Sequence, residues 1–233
     1  MNSSFKKLYV IDLGLTKFKD TWDLQKKLAN LRFQSKIPDC LIITEHEPVI
    51  TIGQGGKKDS LPVSSKYLHE HKIDVLKIEY DKDINFYGPG QVVAYPIIDL
   101  TARGKDLRRY LRELESVEIS LLEEVGLKAS ARKGLSGVWV NNCRLGSISL
   151  AVSRWVSFHA LALNVNIDLE YFKLIDLYGT SMFQVGSISS MLGNNIGTDD
   201  VRRMLIDNFA RLFGYQIENV KDIKSLLEKS AVA

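Results

Sequence analysis

Residues 137–165 hold three strand-like runs in succession, 137–140, 144–152 and 158–165, with no helical stretch between them. Parallel neighbours need a crossover of a dozen or more residues, so this block predicts antiparallel pairing. Ahead of it, residues 106–125 set Leu107, Tyr110, Leu111, Leu114, Val117, Leu121 and Leu122 three and four apart, and Gly126 follows. That spacing predicts a long helix with one apolar stripe and a glycine stop, suited to covering one face of a sheet. The class read from pattern alone is α+β.

The rest of the chain supplies further pieces. Residues 8–12 and 40–44 are short β-rich runs, with helical spacing over 21–32 between them. Residues 49–52 form a strand broken by Gly53, Gly55 and Gly56; 75–80 leads into Tyr87-Gly88-Pro89-Gly90, and 92–98 resumes as a strand. Thr198 is placed to cap a helix through Phe213, with Asp199 and Asp200 at its positive end, and a short helix follows Asp222. No repeat or linker divides the chain, so residues 1–233 read as one domain.

Composition narrows the function classes. A chain that is 45% hydrophobic and 25% charged can bury a core, and a net charge of +3 is too small to mark a nucleic-acid binder. The apolar stretch behind Lys6 and Lys7 ends at Asp12, too soon for a secretory leader, and no apolar run approaches the roughly 20 residues of a membrane span. The expectation is a protein of the cytoplasm or an organellar matrix, with neither membrane nor nucleic acid as partner. Cys40 and Cys143 lack CxxC spacing and read as structural thiols. His46, His69, His71 and His159 have no metal-ligand pattern, and no cofactor is expected.

The segment 86–96 is the most informative for function. Two glycines around Pro89, between two strands, fix a tight backbone path that can approach a ligand, although taken alone they are explained by an ordinary β-connection, the simpler reading. Around it stand Glu45-His46-Glu47-Pro48-Val49-Ile50-Thr51-Ile52-Gly53, then Gly88-Pro89-Gly90-Gln91, Tyr95-Pro96-Ile97-Ile98-Asp99-Leu100, Gly137-Val138-Trp139-Val140 and His159-Ala160-Leu161-Ala162-Leu163-Asn164. In content and order, over roughly residues 8–192, this resembles the octanoyltransferases of lipoate biosynthesis. The resemblance implies a fold like the lipoate and biotin protein ligases, a mixed, mostly antiparallel sheet flanked by helices with an acyl tunnel beside Gly88. It also implies an acyl-carrier protein as donor and a lysine of a lipoyl-domain protein as acceptor. The substrate-binding surface carries over onto Tyr87, Gly88, Ser147, Ile148, His159, Leu161, Ala162 and Tyr178.

The family's chemistry uses a cysteine thiolate that attacks the acyl thioester and a lysine that lowers its pKa. Here Tyr178 occupies the cysteine's place and Arg144 the lysine's. A phenol with a reference pKa of about 10 is a poor nucleophile at neutrality, so Tyr178 is expected to fill or cap the tunnel. Arginine accepts no proton near neutrality but can hold a carbonyl, carboxylate or phosphate oxygen, which makes Arg144 the candidate catalytic residue. Cys143 is adjacent to Arg144, and strand alternation turns it to the other face. Before the turn, residues 80–87 lack the family's paired glycines and its histidine, whose position is taken by Tyr87. Three readings stay open: octanoyl or lipoyl transfer by an altered mechanism, a catalytically inactive relative that binds the carrier or lipoyl domain, and ligase-like use of an acyl-adenylate.

Overall fold

A computed structural model describes residues 6–55, 61–79, 84–159, 161–175 and 184–232. Its strands are β1 (Lys6–Thr16), β2 (Asp39–His46), β3 (Val49–Ile52), β4 (Asp74–Lys77), β5 (Ile84–Tyr87), β6 (Gln91–Ile97), β7 (Ala129–Arg132), β8 (Leu135–Val140), β9 (Cys143–Ile148), β10 (Ala151–Ser153), β11 (Val156–Phe158), β12 (Leu161–Asn164), β13 (Gln184–Val185) and β14 (Tyr215–Asn219). The helices are α1 (Phe18–Phe33), α2 (Ser65–Glu70), α3 (Leu107–Glu124), α4 (Ile188–Leu192), α5 (Thr198–Phe213) and α6 (Ile223–Val232).

The main sheet runs β14-β1-β2-β6-β12-β9-β8-β7, with β13 added beside β9. Along the path β2-β6-β12-β9-β8-β7 successive strands are antiparallel; the parallel pairs are β1–β14 and β1–β2 at one end of the sheet and the short β13 beside β9, off that path. The expected mixed, mostly antiparallel sheet is therefore what the chain builds. Strand alternation sorts side chains to two cores. Leu41, Ile43, Val92, Ala94, Leu161 and Leu163 pack on the face covered by α3 and α5. Cys40, Ile42, Val93, Tyr95, Ile97 and Ala162 face the other way, toward α1 and α6. A smaller sheet, β4-β3-β5, packs with α2 and the turn over 169–174 around a third cluster.

Helix α3 follows most of its predicted stripe: Tyr110, Leu114, Val117, Leu121 and Leu122 are buried, each contributing roughly 1.5–3 kcal/mol by leaving water, while Leu111 is half-buried and Leu107, in the first turn, is exposed. Asp106 caps its start by accepting from the amides of Arg108 and Arg109, and Gly126, at φ +82°, ends it. Two expectations change. Thr198 is the first residue of α5 and makes no capping bond, Gly197 holding the cap position, while Asp199 and Asp200 do occupy the first turn. The runs 144–152 and 158–165 each divide, giving β9 with β10 and β11 with β12, because the chain leaves the sheet for a hairpin. Arg154 and Trp155, at φ +51° and +64°, make its two-residue turn, and His159, at φ +93°, breaks the second run.

Candidate active site

The Gly88-Pro89-Gly90 turn joins β5 to β6 beneath Ile167, and its glycines are required by contact. A Cβ on Gly90, where φ is +89°, would meet the Ile167 amide nitrogen at 2.6 Å; one on Gly88 would meet the Phe86 ring at 2.8 Å. The Gly90 carbonyl accepts from the amides of Val165 and Asn166 at 2.9 and 3.1 Å. Its own N–H donates to Glu45 Oε2 at 2.8 Å, and Glu45 Oε1 accepts from Arg202 of α5 at 2.9 Å. Arg202 also reaches Asp12 at 2.9 Å, so the turn is tied to β1, β2 and α5 at once.

Behind the turn, Gln91 and Asn164 form a buried polar ladder. Gln91 Oε1 accepts the Gly88 amide at 3.1 Å, its Nε2 donates to Asn164 Oδ1 at 2.8 Å, and Asn164 Nδ2 donates to the Gly186 carbonyl at 2.9 Å. These bonds satisfy amides that would be costly if left unpaired in the core. They also fasten β6, β12 and the 186 region around one cleft.

The cleft is lined by Asn85 and Phe86 of β5, Gln91, the β9 segment 144–147, Ala162 and Asn164 of β12, Phe172 and Val185. Its cavity is ≈ 30 Å³, room for a water or two. Among the described lining residues Arg144 alone carries a charge. Only 7% exposed, it donates through Nε to the Gly146 carbonyl at 3.3 Å and through Nη2 to the Ser136 carbonyl at 2.9 Å. Its guanidinium also lies 5.7 Å from the centre of the fully buried Trp139 ring. The fork is thus fixed by the β8–β9 backbone, and it presents a permanent cation to a water-poor wall.

Of the other candidate residues, Ser147 and Ala162, paired across β9 and β12, line the same cleft. Ile148 and Leu161, also a cross-strand pair, turn their side chains to the α3/α5 core instead, because they stand one residue out of phase. Tyr87 corrects the expectation too. Its ring packs against Phe18 and His46, at 5.3 and 5.9 Å between centres, and Phe86 faces the cleft in its place. Gly88 lies against Phe86, and His159 is buried on the α1 side with its amide donating to Gln25 Oε1 at 3.2 Å. Tyr178 lies outside the described residues. Cys143 is off the cleft lining, its thiol 3.7 Å from Gln184 Oε1.

Two further groups bear on the chemistry. His46 is fully buried, with Nδ1 3.3 Å from both the carbonyl and the hydroxyl of Thr16 and Nε2 hydrogen-bonded to the Tyr95 hydroxyl at 2.6 Å. Burial lowers its pKa to about 4 and the Thr16 bond opposes this only in part, so the ring is neutral. Among the described residues no group of three His, Cys, Asp or Glu is placed to hold a metal. Burial pushes the Cys40 thiol far up, and the thiol donates to the Pro38 carbonyl at 3.3 Å, as a structural thiol does.

Comparison with known proteins places this chain in a family. A model described as the lipoyl protein ligase A/B catalytic domain matches residues 17–210. An octanoyltransferase of Syntrophobacter fumaroxidans is 36% identical over 224 residues, covering 95% of this chain and 98% of its own. One of Desulforamulus reducens is 35% identical over 219 residues, covering 94% and 96%. A chain from the structural analysis of an archaeal lipoylation system, a bi-partite lipoate protein ligase and its E2 lipoyl domain from Thermoplasma acidophilum, superposes with a TM-score of 0.72 at 14% identity, over 98% of this chain and 91% of that one. The last likeness bears on the fold.

Proposed function

The chain belongs to the lipoyl protein ligase A/B catalytic-domain family, and we propose that it transfers an octanoyl or lipoyl group to a lysine of a lipoyl domain by direct attack of the amine on an acyl thioester. The observation that carries the mechanism is Arg144, a fixed cation on the wall of the cleft. The amine nitrogen adds to the thioester carbonyl carbon, negative charge gathers on the carbonyl oxygen, and the guanidinium field stabilises it. The C–S bond then breaks, and the departing thiolate takes the proton that the amine gives up. The same cation disfavours the ammonium form of the incoming lysine, which raises the share of nucleophilic amine. Holding both reactants side by side can account for roughly 7–11 kcal/mol of the barrier.

An acyl-carrier protein and a lipoyl-domain protein are the partners this reading requires. At ≈ 30 Å³ the cleft must widen to admit an acyl chain, since ligand pockets span roughly 300–1,000 Å³. Identity of 36% and 35% to two octanoyltransferases, over 95% and 94% of this chain, favours transfer over an inactive relative. The test is intact-mass analysis of a lipoyl domain incubated with octanoyl-acyl-carrier protein and this chain, beside a control without it. A gain of one octanoyl group is expected; no gain with the folded chain refutes the reading.

A further inference from the structure

We propose that Glu118 is the counter-group of Arg144, placed behind β9 by a window of two glycines, and that it governs the charge Arg144 presents to the cleft. Glu118 lies on the sheet-facing side of α3, with none of its surface exposed. Among the described residues neither of its carboxyl oxygens has a hydrogen-bond partner. A carboxyl left this way destabilises the fold, and an apolar side chain of similar size would pack there at no such cost. Its neighbour one turn earlier, Glu115, is placed differently: it bonds Arg112 and accepts the Gly137 amide at 3.3 Å.

The approach of Glu118 to the strand depends on missing side chains. A Cβ on Gly146 would lie 2.5 Å from Glu118 Oε2, and a Cβ on Gly137, at φ +118°, would lie 2.2 Å from the Gly146 carbonyl oxygen. That carbonyl is the one that accepts from Arg144 Nε, and Gly146 itself lines the cleft. One strand residue thus separates the carboxyl from the guanidinium's anchor. The charged groups around Glu118 are Arg144 from β9 and Glu115 from its own helix, while β8 presents Gly137 and Val138. Burial raises the Glu118 pKa well above the usual carboxylate range, the Arg144 charge pulls it down and Glu115 pushes it up.

The consequence for the cleft follows from Coulomb's law at low dielectric. A protonated Glu118 takes nothing from the field of Arg144 at the acyl carbonyl, whereas an ionised Glu118 opposes it. Transfer should therefore be supported by the protonated form and weaken as Glu118 ionises. The effect on rate rests on the transfer reading above, but the pairing does not.

The pairing is read by carbon-13 NMR of the full chain labelled at glutamate Cδ, with Glu118→Gln assigning the resonance. We expect Glu118 to titrate well above the usual carboxylate range. It should move higher still in Arg144→Met, or in Arg144→Gln if the apolar variant does not fold, and stay near the parent value in Arg144→Lys. A Glu118 titration in the ordinary range, or one indifferent to loss of the Arg144 charge, overturns the proposal. The rate arm compares kcat of the parent with Glu118→Gln across pH: the ratio should fall about tenfold through the Glu118 titration with KM unchanged. A flat ratio with measurable transfer overturns the governing role. Coupled titration without transfer at any pH would keep Glu118 as the counter-group and refute the transferase reading instead.

Discussion

Acid should destabilise this protein through His46 in a narrow and calculable window. The ring is fully buried, with Nδ1 beside the carbonyl and hydroxyl of Thr16 and Nε2 hydrogen-bonded to the Tyr95 hydroxyl, and its pKa is about 4 against 6.5 for a free histidine. A pKa depressed in the folded state means that the unfolded chain binds the proton first. The stability tied to the neutral ring is complete above pH 6.5 and is lost as the pH falls toward 4. Linkage over that interval gives about 2 kcal/mol lost by pH 5 and about 3 kcal/mol by pH 4. Urea unfolding of the parent chain and of His46→Gln, repeated between pH 7.5 and 4, measures this. The variant will start less stable because the Tyr95 and Thr16 contacts change, so the informative quantity is the difference in slope with pH. The two curves should converge as the pH drops below 6.5. Curves that stay parallel to pH 4 would refute the argument and mean that His46 accepts a proton within the fold at little cost.

Arg144→Leu should lower kcat for octanoyl transfer by about 100-fold, the usual loss when one charge-stabilising donor is removed, with Arg144→Lys less affected; single-turnover mass spectrometry separates the two. Gly137→Ala should destabilise the chain by at least about 1–3 kcal/mol, since its Cβ would enter the Gly146 carbonyl at a φ of +118°, and chemical denaturation reads this directly. Glu118→Gln should gain stability over the parent as the pH rises above 4.5, which urea unfolding at a series of pH values reads. A carboxyl whose folded pKa is raised contributes fully below its unfolded value and loses that contribution above it. Tyr178→Cys combined with Arg144→Lys should form an acyl-thioester adduct visible by intact mass, and its absence in a folded double variant would point to residues 80–87 as a further requirement.

How much was legible before the structure depended on the range of the interaction. Helix α3 and its glycine stop, the extent of α5, and the antiparallel character of the sheet rest on periodicity and local chemistry, which act over a few residues and are written in the chain. The strands β5, β7, β13 and β14 are short and owe their form to a partner strand far away in sequence, so pattern left them unseen. The division of 144–152 and 158–165 turned on positive φ at Arg154, Trp155 and His159, none of them a glycine.

The site divides the same way. The resemblance picked out Arg144, Ser147 and Ala162, which line one cleft, and the sequence alone pointed to a tight turn at Gly88 and Gly90. Which side of each strand faces the cleft could not, because one residue of register separates Ser147 from Ile148 and Ala162 from Leu161. The same limit gave the cleft Phe86 rather than Tyr87. Glu118 was hidden for a stronger reason. In the helical pattern it is one more charged residue of α3, and only packing of α3 on β8 and β9, at two positions without a Cβ, brings its carboxyl to the back of the strand that carries Arg144. Chemistry that depends on side chains present is readable along the chain, whereas chemistry that depends on side chains absent across a tertiary contact exists only once the layers meet.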